Sequence, residues 1–104
     1  MNALTALADP TRRRIVELLA ERDRDVTELH AHFPISQPAV SRHLRVLRDH
    51  GLVRSRPEAQ RRVYSLDPTP LAELDDWLDR YRSFWAQRLD ALDTELRRAR
   101  KEST

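Results

Sequence analysis

From Leu71 to Leu96 apolar side chains recur every three or four residues: Leu71, Leu74, Leu78, Tyr81, Trp85, Leu89, Leu92 and Leu96, with Trp77 and Phe84 widening the stripe. That recurrence is the 3.6-residue period of an α-helix. No glycine or proline interrupts the chain between 71 and 104. The spacing predicts one helix over about 70–100, roughly 45 Å long at 1.5 Å per residue. The residues ahead of it make too small a body to cover a stripe of that length. A long apolar stripe left over on a small domain marks a partner surface, and the economical partner is a second copy about a two-fold axis. The expected dimer interface is Leu74, Trp77, Leu78, Tyr81, Trp85, Leu89 and Leu92, with Leu4 and Leu7 of a short leading helix. The aromatic section Trp77, Tyr81, Phe84 and Trp85 is open to a second use, as the lining of a small-molecule pocket at that interface.

The chain has 104 residues, the length of one domain. It contains no cysteine, which excludes disulfides and thiolate metal sites. No apolar run approaches the ~20 residues of a membrane span. The N-terminal stretch lacks the basic n-region of a secretion signal, so a cytoplasmic location is expected. The net charge is +2, and its distribution is uneven. Residues 36–66 hold seven arginines against two acids, whereas acids outnumber bases on both sides of that segment. A basic middle third between scaffold segments is the footprint of a polyanion-binding face.

Within that third lies "ISQPAVSRHLRVLRDHG", residues 35–51. It predicts a helix with Val40, Leu44 and Leu47 on one face and Gln37, Ser41, Arg42, Arg45 and Arg48 on the other. Ser36 is placed to cap it, Pro38 falls in its first turn, and Gly51, the chain's one glycine, ends it. Upstream, Asp9-Pro10 opens a helix carrying Ile15, Leu18 and Leu19, and Arg22 to Asp25 reads as a polar loop. Thr27 is the expected cap of the next helix, with Val26 as a hydrophobic staple, Leu29 and Phe33 facing inward, and Pro34 ending it. Two helices meeting across Phe33-Pro34-Ile35 have helix-turn-helix spacing. "LVRSRPEAQRRVYSL" (52–66) then predicts a two-stranded hairpin turning at Pro57 to Gln60, with Arg54, Arg56, Arg61 and Arg62 along it.

The segments "ADPTRRRIVELL" (8–19), "ISQPAVSRHLRVLRDHGLV" (35–53) and "RRVYSLDP" (61–68), in this order, resemble the ArsR/SmtB family of bacterial winged-helix repressors. The terminal stretch 71–92 is similar to a metal-independent branch of it. The resemblance implies a homodimer whose second motif helix enters the major groove and whose wing touches the flanking backbone. Carried over by position, Gln37, Ser41 and Arg42 match base-edge contacts, Ser36 and Pro38 lie near phosphate, and His43 is a weaker match. The residue chemistry agrees: glutamine pairs with adenine edges and arginine with guanine O6 and N7. Arg45 and Arg48 are expected at the DNA backbone or against acids of a neighbouring helix. The wing candidates are Arg54, Arg56, Arg61, Arg62 and Tyr64; a structural role stays open for Arg62 and Tyr64, and the Tyr64 ring is expected to pack beneath the sheet. The family commonly has a glycine at the wing tip; Ala59-Gln60 stands here, which predicts a longer, looser tip.

Metal sensing in this family uses a Cys-x-Cys pair at positions matching Asp25 and Thr27, or Asp and His on the terminal helix, where this chain has no histidine after His50. His30 and His32, two apart, point to different helix faces and read as surface residues. No metal or other cofactor is expected, and no catalytic residues: the chain lacks a phosphate-cradling glycine loop and a paired carboxylate site. The reading is therefore a mostly α fold with a small β-hairpin, a winged helix-turn-helix with a long C-terminal dimerisation helix. One domain spans 1–104, with the helix-turn-helix at about 27–50, the wing at about 52–66 and the terminal helix at about 70–100. The expected function is sequence-specific binding of double-stranded DNA as a homodimeric repressor at a palindromic operator. The rival readings are a winged-helix module that binds protein and a repressor with a small-molecule effector at the dimer interface.

Overall fold

The computed structural model describes residues 2–102 and forms two compact units, Met1–Ala72 and Glu73–Thr104. Its elements run α1 (Asn2–Leu7), α2 (Pro10–Glu21), β1 (Arg24–Asp25), α3 (Val26–His30), α4 (Gln37–Asp49), β2 (Val53–Glu58), β3 (Arg61–Leu66) and α5 (Thr69–Glu102).

In the first unit the helices close over Ile15, Leu18, Leu19, Leu29, Val40, Leu44 and Leu47, joined by Leu52 and Val53 at the start of the sheet. α1 contributes Ala3 and Ala6 to this core. Leu4 points away and is half exposed, and Leu7 is half-buried against the core. The caps follow the side-chain chemistry. Asp9 Oδ1 accepts the Arg12 backbone N–H at 3.0 Å, with Pro10 at N1. Ser36 Oγ accepts the Ala39 N–H at 3.2 Å. Gly51, at φ 76°, closes α4. Its N–H bonds the Arg48 carbonyl at 3.0 Å, and the Leu52 N–H bonds the Leu47 carbonyl at 2.9 Å. This pair of bonds is the Schellman closure, with Leu47 and Leu52 making its apolar contact in the core.

The sheet has three antiparallel strands in the order β1-β3-β2, one more than the hairpin expected. The extra strand is Arg24–Asp25, paired with Tyr64 and Val63 where the sequence reads as a polar loop. Arg24 is buried there. Its Nε donates to the Leu18 carbonyl at 3.1 Å and its Nη2 to Glu21 at 2.8 Å, so the guanidinium closes the end of α2 and its stem lies inside. A two-residue strand centred on a buried arginine carries no alternation to recognise.

α3 differs from expectation at both ends. Its cap is Asp25, not Thr27, and Val26 lies inside the helix. Asp25 Oδ1 accepts the Glu28 N–H at 2.8 Å while Glu28 Oε1 accepts the Asp25 N–H at 3.2 Å, a reciprocal capping box. The helix stops at His30, because the next residues tighten into i→i+3 bonds: His32 N–H to Leu29 O and Phe33 N–H to His30 O, both at 3.1 Å. Phe33 still packs on the core. His30 is half-buried rather than a surface residue, its Nε2 lying 2.8 Å from the Ile35 carbonyl and tying the two helices across their joint.

The wing tip is tight. Glu58 pairs with Arg61, leaving Ala59 and Gln60 as a two-residue turn. Of these, only Ala59 has positive φ, at 56°, the sign pattern of a II′ hairpin turn. The looser loop expected from the missing glycine does not form. The right-handed strand twist favours this turn class, and closing the ladder outweighs the strain of an alanine at positive φ.

In the second unit α5 continues as one helix. From Glu73 to Glu102 only Leu74 is even half-buried. Trp85 is 57% exposed and Leu89 63%, so among the described residues the stripe stays open. The Trp77 and Tyr81 rings lie 4.8 Å apart and Arg88 caps the Phe84 ring at 4.5 Å. Among the described residues, no helix is long and apolar enough to cross a membrane.

Candidate nucleic-acid interface

Successive residues of α4 step by about 100°, which separates its two faces cleanly. Val40, Leu44 and Leu47 are buried, while Gln37, Pro38, Ser41, Arg42, Arg45 and Arg48 are exposed. Gln37, Pro38, Ser41, Arg42 and Arg45 line one groove along the outer face. Ser41, Arg45, Arg48, Arg62 and Tyr64 line a second, between α4 and β3. The side chains of Arg42, Arg45 and Arg48 carry no ion pair or hydrogen bond among the described residues. The acids of neighbouring helices do not reach Arg45 or Arg48.

His43 stands apart from this face. It lies a third of a turn away, half-buried, with Nδ1 3.4 Å from Arg12 Nη1 of α2. Ser36 is exposed, but its Oγ already serves the helix as cap.

The wing arginines divide according to the pleat. In a paired antiparallel ladder, opposed residues share a face and alternate along each strand. The register Ser55↔Tyr64 and Pro57↔Arg62 puts Arg62 on the face of Tyr64, and Arg62 Nη1 donates to Ser55 Oγ at 3.1 Å. Arg54, Arg56 and Arg61 fall on the alternate positions and each is held by acids. Arg54 pairs with Asp67 at 2.9 Å. Arg56 pairs with Asp23 at 2.8 Å and with Glu58 at 3.3 Å. Arg61 reaches Asp25 at 3.1 Å, Glu28 at 3.3 Å and Glu58 at 3.5 Å. The capping box of α3 thus also anchors the wing. Its Asp25 carboxyl is held below the usual carboxylate range, first by the Glu28 N–H and then by Arg61. Glu28 is lowered in the same way by the Asp25 N–H and by Arg22, 2.8 Å away. Asp67 is lowered by the Thr69 N–H and Arg54.

Sequence reasoning missed this acid set. Asp23 and Arg56 are 33 residues apart, and nothing local announces their meeting. The Asp25-x-x-Glu28 capping signature, in contrast, was available in the sequence. Of the positions matching the family's Cys-x-Cys pair, Asp25 is engaged in the cap and with Arg61, and Thr27 lies exposed in α3. Among the described residues no group of three or more His, Asp or Glu is arranged to hold a metal ion.

A short helix joined through a tight turn to a second helix, with the second helix's polar face outward and a hairpin beside it, defines a winged helix-turn-helix regulator. Residues 9–55 match the family model described as "Bacterial regulatory protein, arsR family". The chain is 54% identical over 87 residues to the HTH-type transcriptional regulator Rv2034 of Mycobacterium tuberculosis, covering 84% of this chain and 78% of that protein. It is 35% identical over 77 residues to the transcriptional repressor SdpR of Bacillus subtilis, covering 74% and 86%. A crystal structure titled "Possible transcriptional regulator for arsenical resistance" superposes with a TM-score of 0.73 at 45% identity, over 91% of this chain and 96% of that one. The chain belongs to the ArsR family of bacterial transcriptional regulators. It is a transcriptional regulator and not an enzyme.

Proposed function

We propose that this regulator is a homodimeric repressor that reads a palindromic operator in the major groove through α4 and acts without a metal cofactor. The observation that carries the reading is the outer face of α4: Gln37, Ser41, Arg42 and Arg45 line one exposed groove, with both arginines free of acid partners. Amide and guanidinium groups are the donors suited to base edges. A module that binds protein has no need of them at the start of this helix. The exposed stripe of α5 supports dimerisation, since Trp77, Leu78, Tyr81, Trp85, Ala86 and Leu89, with Arg82, line a mainly apolar groove that stays exposed among the described residues. A two-fold dimer presents two copies of α4 related by an axis, the symmetry of a palindrome. Metal independence is supported by the absence of cysteine and by the engagement of Asp25 in the α3 cap and the Arg61 pair.

The test is Arg42→Ala against an operator set substituted one base pair at a time. The variant loses about 1–3 kcal/mol on the parent operator and becomes indifferent to one base pair in each half-site. Equal loss at every sequence, with the base preferences intact, would mean that Arg42 meets only phosphate.

A further inference from the structure

α4 is held in place mostly by apolar contact. Val40, Leu44 and Leu47 are buried in the core, and such burial is non-directional, so it fixes the depth of the helix better than its roll about its own axis. Among the described residues one side-chain hydrogen bond ties α4 to another element. It joins His43 Nδ1 to Arg12 Nη1 of α2 at 3.4 Å. His43 is half-buried at the edge of the packed face, one residue after Arg42. A bond there, off the line of the apolar contacts, resists roll.

The Arg12 side of the pair is anchored independently. Its Nε donates to the Ala6 carbonyl of α1 at 2.7 Å, and its backbone N–H donates to Asp9 Oδ1 at 3.0 Å. A guanidinium has donors only, so His43 Nδ1 is the acceptor and the neutral ring carries its proton on Nε2. A protonated ring has no lone pair for Arg12 and sets a second positive charge against it. Asp9 is the acid that faces both. Its carboxyl is held below the usual carboxylate range, first by the Arg12 N–H, with the charges of His43 and Arg12 adding to this against partial burial. An imidazolium therefore trades the Arg12 bond for the pull of Asp9. On α4 itself the positions three and four residues from His43 are Ala39, Val40, Val46 and Leu47, none of which titrates. α3 and β2 also pack on α4, and among the described residues no charged group of either makes a hydrogen bond or ion pair with His43.

We propose that Arg12 and His43 form a positioning pair that sets the roll of α4 for base reading, and that the pair requires a neutral His43. The inference rests on the reading of α4 as the DNA-binding helix. Its consequence is that operator affinity falls as the medium is acidified. That sign is opposite to the ordinary one. Phosphates favour protonation of a nearby imidazole, and binding that takes up a proton strengthens in acid.

The test uses the full chain on a promoter duplex and a shuffled duplex between about pH 8 and 6, where imidazole is the side chain that ordinarily changes charge. The wild type loses affinity for the promoter duplex as pH falls, with a limit of about tenfold per pH unit for each subunit, set by one proton. The promoter-to-shuffled ratio narrows with it, because base contacts need a fixed helix orientation. His43→Asn keeps an acceptor near the Nδ1 position and cannot be protonated, so it retains the affinity of the wild type at pH ~8 and loses the acid fall. His43→Leu keeps no acceptor and binds the promoter more weakly across the range, with a flat profile. Arg12→Met also abolishes the acid fall. Circular dichroism verifies folding, and His43→Gln, with the better helix propensity, stands in for the asparagine variant should that one unfold. Nitrogen NMR of the free protein reads the tautomer at pH ~8, with Nδ1 bare and Nε2 protonated. A proton on Nδ1 in the neutral ring overturns the proposal, and so does wild-type promoter affinity in His43→Leu. A wild-type profile that is flat or rises in acid overturns it as well. An acid fall that survives in His43→Asn would pass the effect to His30, His32 or His50 and likewise overturn it. Failure of the wild type on every duplex at low salt overturns the reading of α4 and this inference with it, whereas operator binding with a flat profile overturns the inference alone.

Discussion

Replacing Gly51 with alanine isolates one backbone angle. Gly51 sits at φ 76°, and a Cβ built there meets nothing nearer than Pro70 Cγ at 3.7 Å, an ordinary van der Waals contact. Sterics with neighbours therefore contribute almost nothing, and the cost is conformational. Left-handed alanine costs about 1–2 kcal/mol. The substitution also removes freedom from the unfolded chain, which returns about 0.4–1 kcal/mol. The net destabilisation lies between about 0 and 1.6 kcal/mol, provided that the bonds from Gly51 to Arg48 and from Leu52 to Leu47 survive. Gly51→Asn loses less, since asparagine visits this region more readily. The assay is urea denaturation followed by circular dichroism, with the protein concentration matched, because a dimer's stability depends on it. A stabilising Gly51→Ala would refute the claim that positive φ is what this position requires. Equal losses for alanine and asparagine would show that space beside Pro70, not the backbone angle, sets the cost.

Three further outcomes are expected. The triple variant Arg54→Gln/Arg56→Gln/Arg61→Gln keeps the wild-type salt slope for DNA binding, since these arginines are already neutralised by acids; a slope reduced by several units would show that they leave those acids for phosphate. Trp85→Asp places a charge in the exposed stripe and gives monomers by sedimentation at micromolar concentration, whereas a persisting dimer would remove α5 from the interface. Asp25, Glu28 and Asp67 are lowered by folding, so their stabilisation is complete above the unfolded carboxylate range, about pH 4, and is lost as pH falls through their lower folded values. Acid titration of Asp25→Asn therefore shows a shallower fall in stability below pH ~4 than the wild type, and parallel curves would deny Asp25 that part.

The elements with strong periodicity were legible in the sequence. α4 and α5 follow from apolar spacing, Asp9 and Ser36 from cap chemistry, and Gly51 from the need for a left-handed closure. What escaped was set by contacts distant along the chain. Arg24–Asp25 becomes a strand only because β3 passes beside it, and Arg24 is buried only because Leu18 and Glu21 take its donors. The outer face of α4 could be written from helix geometry, which also turns His43 inward once Val40, Leu44 and Leu47 are fixed as core. The wing could not be read in the same way. Four arginines look alike in the sequence, and only the register with Pro57 and the positions of Asp23, Asp25 and Asp67 separate Arg62 from the other three.

The central claim is that α4 reads sequence, not charge alone. The direct measurement is fluorescence anisotropy of the protein on a duplex from its own promoter and on a shuffled duplex of the same composition, at salt raised to about 150–200 mM. Phosphate contacts weaken together on both duplexes as salt rises, while base contacts persist on one. The account predicts that the promoter complex survives at this salt while the shuffled complex is lost. Loss of both in parallel would contradict it and leave the arginines of α4 as a purely electrostatic surface.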